Sequence, residues 1–174
     1  MPRMRFPLAP LTLALSLAAL AAPAARAELF IAEYLEGSSN NKAIEIYNPG
    51  TETVDLAAGG YALKGYFNGG TTAGNIAALS GTLAPGATHV VAHASASAEI
   101  LARAQQTATS VTFNGDDAVA LVKGTDLVDV IGQIGLDPGT NWGSGDTATL
   151  DRTLRRKAGL MAGDSNGADA FDPT

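Results

Sequence analysis

No cysteine occurs in this 174-residue chain, which excludes a disulfide framework and any thiolate metal site. The fold must hold by packing, helped at most by a bound cation. Histidine is nearly absent too, with His89 and His93 the only two. Metal-dependent phosphodiester cleavage gathers several carboxylates and positioned histidines around an ion that activates water. Four positions apart on one strand, two histidines stand roughly 13 Å from each other and cannot ligate one ion together. Both are expected to point outward from a strand over 88–94. No serine lies in a nucleophile elbow, and no glycine-rich phosphate cradle is present. The sequence offers no recognisable catalytic machinery.

Beyond residue 27 there is no long apolar run. Before it, Arg3 and Arg5 precede an apolar stretch over 8–22, and Ala25-Arg26-Ala27 closes the segment as a small-x-small cleavage site. Pro10 and Pro23 leave that stretch short of the roughly 20 apolar residues a membrane span needs. Residues 1–27 read as a secretory signal peptide cleaved after Ala27, so the remainder is expected to be secreted, extracellular or periplasmic, with no membrane span. Arg3, Arg5 and Arg26 leave with that segment while all 17 acidic residues stay, so 8 basic residues face 17 acidic ones, a balance of −9. Such a surface favours solubility and opposes broad attachment to nucleic acid, which relies on concentrated positive charge. A local basic patch would still suffice for it. Residues 28–174 have the length of one domain with a sizeable core.

What is present is a succession of short extended segments. Over 28–48, two apolar runs flank Gly37-Ser38-Ser39-Asn40-Asn41. They predict a β-hairpin with a turn longer than two residues, in which Lys42, Ile44 and Ile46 share one face and Ala43, Glu45 and Tyr47 the other. Asn48-Pro49-Gly50 turns the chain into a short strand within 51–56, and further strands are expected over 61–67, 75–83 and 88–94. From 97 to 106 the spacing changes to three or four, with Ile100, Leu101 and Ala104 apolar, which predicts one short helix covering an open end. A brief strand over 109–113 and a hairpin of 117–123 with 127–134 follow, the latter with β-branched residues on both faces, as central strands have. Trp142, in the loop 135–146, is expected to plug one end of the core, and 147–157 is the last strand. About eight or nine short strands with one short helix make an all-β, immunoglobulin-like β-sandwich.

Two clusters are candidate sites. Asp164, Asn166, Asp169 and Asp172 set oxygen ligands at alternating positions around Gly167, loosely like a calcium loop but without the bidentate glutamate, and calcium is the one cofactor this suggests. The pairs Asp116-Asp117 and Asp137, Asp146 read instead as turn carboxylates that bond their own backbone. Arg152, Arg155, Arg156 and Lys157 form the sole cationic cluster. Guanidinium forks match phosphate oxygens, yet strand alternation divides these four between two faces, and isolated arginines balancing neighbouring acids explain them as well. Tyr61, Tyr66 and Trp142 would form an aromatic platform if the module bound carbohydrate.

The segment 28–48, with Ile131-Gly132-Gln133 and Thr153-Leu154-Arg155-Arg156-Lys157, closely resembles bacterial lamin-tail domains, in particular those at the N-terminus of secreted endonuclease/exonuclease/phosphatase-family nucleases. The resemblance covers nearly all of the chain after residue 27 and carries no catalytic residues. It implies an accessory or binding module followed in relatives by a metal-dependent nuclease domain, with nucleic acid or glycan as further partners. Because the chain stops at Phe171-Asp172-Pro173-Thr174 where relatives continue, the resemblance implies a domain truncated at its C-terminus. Two other readings stay open: a cell-surface adhesion or carbohydrate-binding module, and a small metal-dependent secreted hydrolase.

Overall fold

The computed structural model describes residues 27–74 and 76–173, so the signal peptide read over 1–27 lies outside the described residues, save Ala27. Among the described residues, eleven strands, one helical turn and one 3-10 turn follow each other. The opening hairpin pairs β1 (Phe30–Glu36) with β2 (Lys42–Tyr47), and the 37–41 turn closes through Gly37 N–H to the Asn41 carbonyl at 2.8 Å. After it come β3 (Val54–Asp55), β4 (Tyr61–Tyr66), β5 (Ile76–Ala78), β6 (Thr82–Leu83) and β7 (Thr88–His93). Then follow α1 (Ala98–Leu101), β8 (Gln106–Ala108), β9 (Ala118–Lys123), β10 (Asp126–Ile131) and β11 (Arg152–Arg155).

Two sheets carry the fold. One has the order β11-β1-β2-β7-β8, the other β10-β9-β4-β5, and β3 pairs with β6 in a small separate ribbon. All pairings are antiparallel except β7 with β8. Alternation decides what is buried. Ile44 and Ile46 of β2, Val91 of β7, Leu63 of β4 and Val119 and Leu121 of β9 meet between the sheets. The intervening residues of β9, Ala118, Ala120 and Val122, join Val130 in a second buried cluster on the outer side, which makes β9 a strand covered on both faces. This is the immunoglobulin-like β-sandwich the sequence predicts.

Local departures have physical causes. His89 and His93 do not point outward: they share the face of Val91 and are buried, 5% and 7% exposed. The apolar residues Val90 and Ala92 take the opposite face of β7 because β2 on one side and β8 on the other fix its register. Helix 97–106 shrinks to the single turn of α1, because Gln105 N–H bonds the Val90 carbonyl and Gln105 Oε1 accepts Val90 N–H, drawing the chain into an extended path beside β7. The strand expected over 109–113 forms earlier, as β8, and 109–113 is loop. The single strand expected over 75–83 is split into β5 and β6, which belong to different sheets. The last strand shortens from 147–157 to four residues, preceded by the 3-10 turn Gly145–Thr147.

Trp142 is buried as expected. Its indole N–H donates to the Asp117 carbonyl at 3.1 Å, and its ring meets Phe171 edge-on at 6.2 Å. The segment 156–171 returns across β10: Ile134 N–H bonds the Gly167 carbonyl at 2.8 Å and Gln133 donates to the Ala168 carbonyl at 2.7 Å.

Candidate functional site

The side of the sandwich where β11 and β1 of one sheet stand over β10 of the other is not closed. A cleft of about 310 Å³ opens there, with Ile31, Val130 and Leu154 on its walls and Phe171 at the returning tail. Arg155, Arg156 and Lys157 line one side, and Asp164 and Asp172 line the other. Three residues of the basic cluster and two of the acidic one thus border a single cleft, which Arg152, Asn166 and Asp169 do not line.

At the base of this seam Asp129 is wholly buried. Each strand beside it carries a bulge, between Ile31 and Glu33 in β1 and between Leu127 and Asp129 in β10. Such a bulge re-aims backbone and side chain. Asp129 Oδ2 accepts Ile31 N–H at 2.7 Å, while Oδ1 accepts Val130 N–H at 2.9 Å, Asp164 N–H at 2.8 Å and Arg156 Nη2 at 2.5 Å. One carboxylate ties together both sheets, the end of β11 and the tail. Burial pushes its carboxyl up, against the guanidinium and the three N–H groups that hold it down.

Little of the basic run remains available. Arg156 is held by Asp129, and Arg155 forks onto Glu33 with Nε at 2.7 Å from Oε2. Arg152 and Lys157 are exposed. The acidic tail is also turned inward on itself, since Asp164 Oδ1 accepts Asn166 N–H at 2.9 Å and Asn166 Oδ1 accepts Ala168 N–H at 3.3 Å. Asp169 is exposed, as is Asp172. No group of three or more histidine, aspartate or glutamate side chains among the described residues is placed to hold a metal ion.

At one end of the sandwich lies a more polar pocket of about 340 Å³ bordered by Lys42, Asn114 and Asp117. Lys42 Nζ pairs with Glu36 and donates to the Gly37 carbonyl at 2.5 Å, and Glu36 Oε2 accepts Asp151 N–H at 2.5 Å. Asp117 accepts Asn114 N–H at 2.7 Å and Asn68 N–H at 3.1 Å; burial pushes its carboxyl up. Unlike the exposed turn carboxylate read from the sequence, it is only 2% exposed. Tyr34 sits nearby, its phenol raised by burial and by the charges of Glu36, Asp117 and Asp116.

Sequence reasoning missed Asp129, Glu36 and Lys42 as organising residues, though signals existed. Asp129 interrupts an apolar strand, and Lys42 alternates in phase with Ile44 and Ile46. The aromatic platform does not form: Tyr61 and Trp142 are each 4% exposed, and Tyr66 packs beside the outer cluster of β9.

A family model described as Lamin Tail Domain matches residues 22–135, well over half of the chain. The match stops before Thr153-Leu154-Arg155-Arg156-Lys157. None of the curated proteins searched matches the chain. The matched span holds β1 to β10 in the sandwich order described above, and at the family level this is a non-catalytic immunoglobulin-like module; the chain belongs to the lamin tail domain family.

Proposed function

We propose that this chain is a secreted accessory or binding module, the N-terminal part of an extracellular nuclease whose bond-breaking groups lie in a separate domain. The observation that carries this reading is the employment of its charged side chains. Asp129 with Arg156, Glu36 with Lys42 and Glu33 with Arg155 link strands to each other, and Asp117 ties the loops at 68 and 114. Groups engaged in this way stabilise a scaffold and are not free to activate water. The leader-like start and the resemblance of the 28–48 hairpin to modules that precede nuclease domains support the secreted, nuclease-linked part of the reading.

Two measurements test it. The purified chain, incubated with plasmid DNA and Mg²⁺ or Ca²⁺, leaves the DNA intact; nicking that depends on the chain overturns the non-catalytic part. Reading the genomic DNA beyond codon 174 finds an open frame for a metal-dependent nuclease domain, and a stop codon there overturns the nuclease link. With only Arg152 and Lys157 of the basic run left to meet phosphates, DNA affinity at that patch is weak and falls with salt at a slope of about 1 to 2 in a log–log plot.

A further inference from the structure

The outer face of the five-stranded sheet carries a groove. Register sets Arg155, Glu33, Glu45 and Val90 in one row across β11, β1, β2 and β7, and in the next row Leu35 stands opposite Ala43. Residues two apart on a strand share a face, so both rows look outward. Ile100 of α1 and Arg103 just after it stand over these rows and complete a groove of about 330 Å³. Leu35, Ala43, Val90 and Ile100 give it an apolar floor in which Ala43 is buried and the others are half-buried.

Its charges are unevenly matched. Glu33 and Glu45 are direct cross-strand neighbours, and like charges so placed repel. Arg155 forks onto Glu33, with Nε at 2.7 Å and Nη2 at 3.5 Å from its oxygens. Among the described residues neither Glu45 nor the Arg103 guanidinium has a hydrogen-bond or close ion-pair partner, and Glu45 feels only the charge of Arg155, which is itself forked onto Glu33. A carboxylate and a guanidinium therefore border one apolar floor without meeting.

We propose that this groove docks an extended peptide of a partner protein in which an apolar side chain is flanked by a basic one seated on Glu45 and an acidic one seated on Arg103. The apolar side chain would take the floor between Leu35, Val90 and Ile100. A lysine or arginine lays its methylene stem over apolar surface while its head meets the carboxylate. A partner carboxylate matches the fork of Arg103. No aromatic ring lines the groove to stack on a sugar, and a nucleic-acid backbone would meet two carboxylates. The inference rests on the groove alone and stands whether or not a nuclease domain accompanies the chain.

The probe is a fluorescein-labelled synthetic peptide with lysine, valine and aspartate at alternate positions and serine between them, followed by anisotropy on the full chain. Saturable binding is expected, weakened about tenfold or more by Glu45→Lys, the loss of one charge-assisted contact and its reversal. A peptide with glutamate in place of the lysine regains affinity on the Glu45→Lys chain. Val90→Asp on the floor abolishes binding, and Arg103→Glu, on an exposed turn, weakens it while leaving the fold untouched. Absence of saturable binding up to about 1 mM peptide, affinity unchanged by Glu45→Lys, or displacement of the peptide by duplex DNA would each overturn the proposal.

Discussion

Asp129 has the most to lose by substitution. It is wholly buried and receives four donors from three separate parts of the chain. Asp129→Ala leaves Ile31 N–H, Asp164 N–H and the Arg156 head without their acceptor, and breaking one side of a buried pair typically costs about 3–5 kcal/mol. Because Arg156 keeps some exposure, the lower half of that range is expected from urea denaturation followed by tryptophan fluorescence; a loss under about 1 kcal/mol would deny Asp129 its tying role. His89 makes the pH-sensitive counterpart. Its Nε2 is buried with no hydrogen bond of good geometry, and burial holds its pKa below the ordinary 6.5 against the nearby Gln106 side chain, which pulls it up. The unfolded chain takes up a proton below that value while the folded one resists, so this stability is present above pH 6.5 and lost as pH falls through the depressed folded value. Melting temperature should drop on acidification from pH 7 to 5, and His89→Leu should flatten that part of the profile by roughly 2–4 °C.

The element with least autonomy is the tail beyond β10. Gly132 holds φ at +89°, and a Cβ there would lie 2.6 Å from the Trp142 indole nitrogen. Gly132→Ala is thus disfavoured twice, by left-handed backbone and by collision with the ring that anchors the returning segment, at about 2–3 kcal/mol. A red shift of Trp142 emission in the native state would accompany it. An unshifted emission with unchanged stability would mean that the tryptophan docks by another route. Gly163 is confined by collision alone, since a Cβ would come 2.2 Å from Asp129 Cγ. At these two positions the chain passes where the side chains of Trp142 and Asp129 leave no room for a Cβ.

At the scale of the whole molecule, the lamin-tail match and the sandwich have different limits. The match ends at residue 135, whereas β11 pairs with β1 over Glu33 to Glu36 and supplies the five-stranded sheet with its edge. Cutting the chain after Gly135 removes β11, Trp142 and two of the four donors to Asp129. Such a fragment is expected to show no cooperative thermal transition and to bind a hydrophobic dye, whereas the chain through residue 173 melts in one step; a cooperative transition in the shorter chain would show that β1 to β10 suffice.

Sequence alone determined the period-two alternation of Ile44 with Ile46 and of Val119 with Leu121, the turn chemistry at 48–50 and 124–125, and thereby an all-β sandwich. Those signals are local, and apolar residues at a fixed period leave little choice of buried face. Tertiary structure alone decided that His89 and His93 point inward, that helix 97–106 becomes one turn and a parallel strand, and that the basic run faces the acidic tail across one cleft. Each of these outcomes depends on pairing between residues distant in sequence. The free energy of such contacts, as when Asp129 reaches Ile31 and Arg156, outweighs the weak local propensities that composition and spacing express.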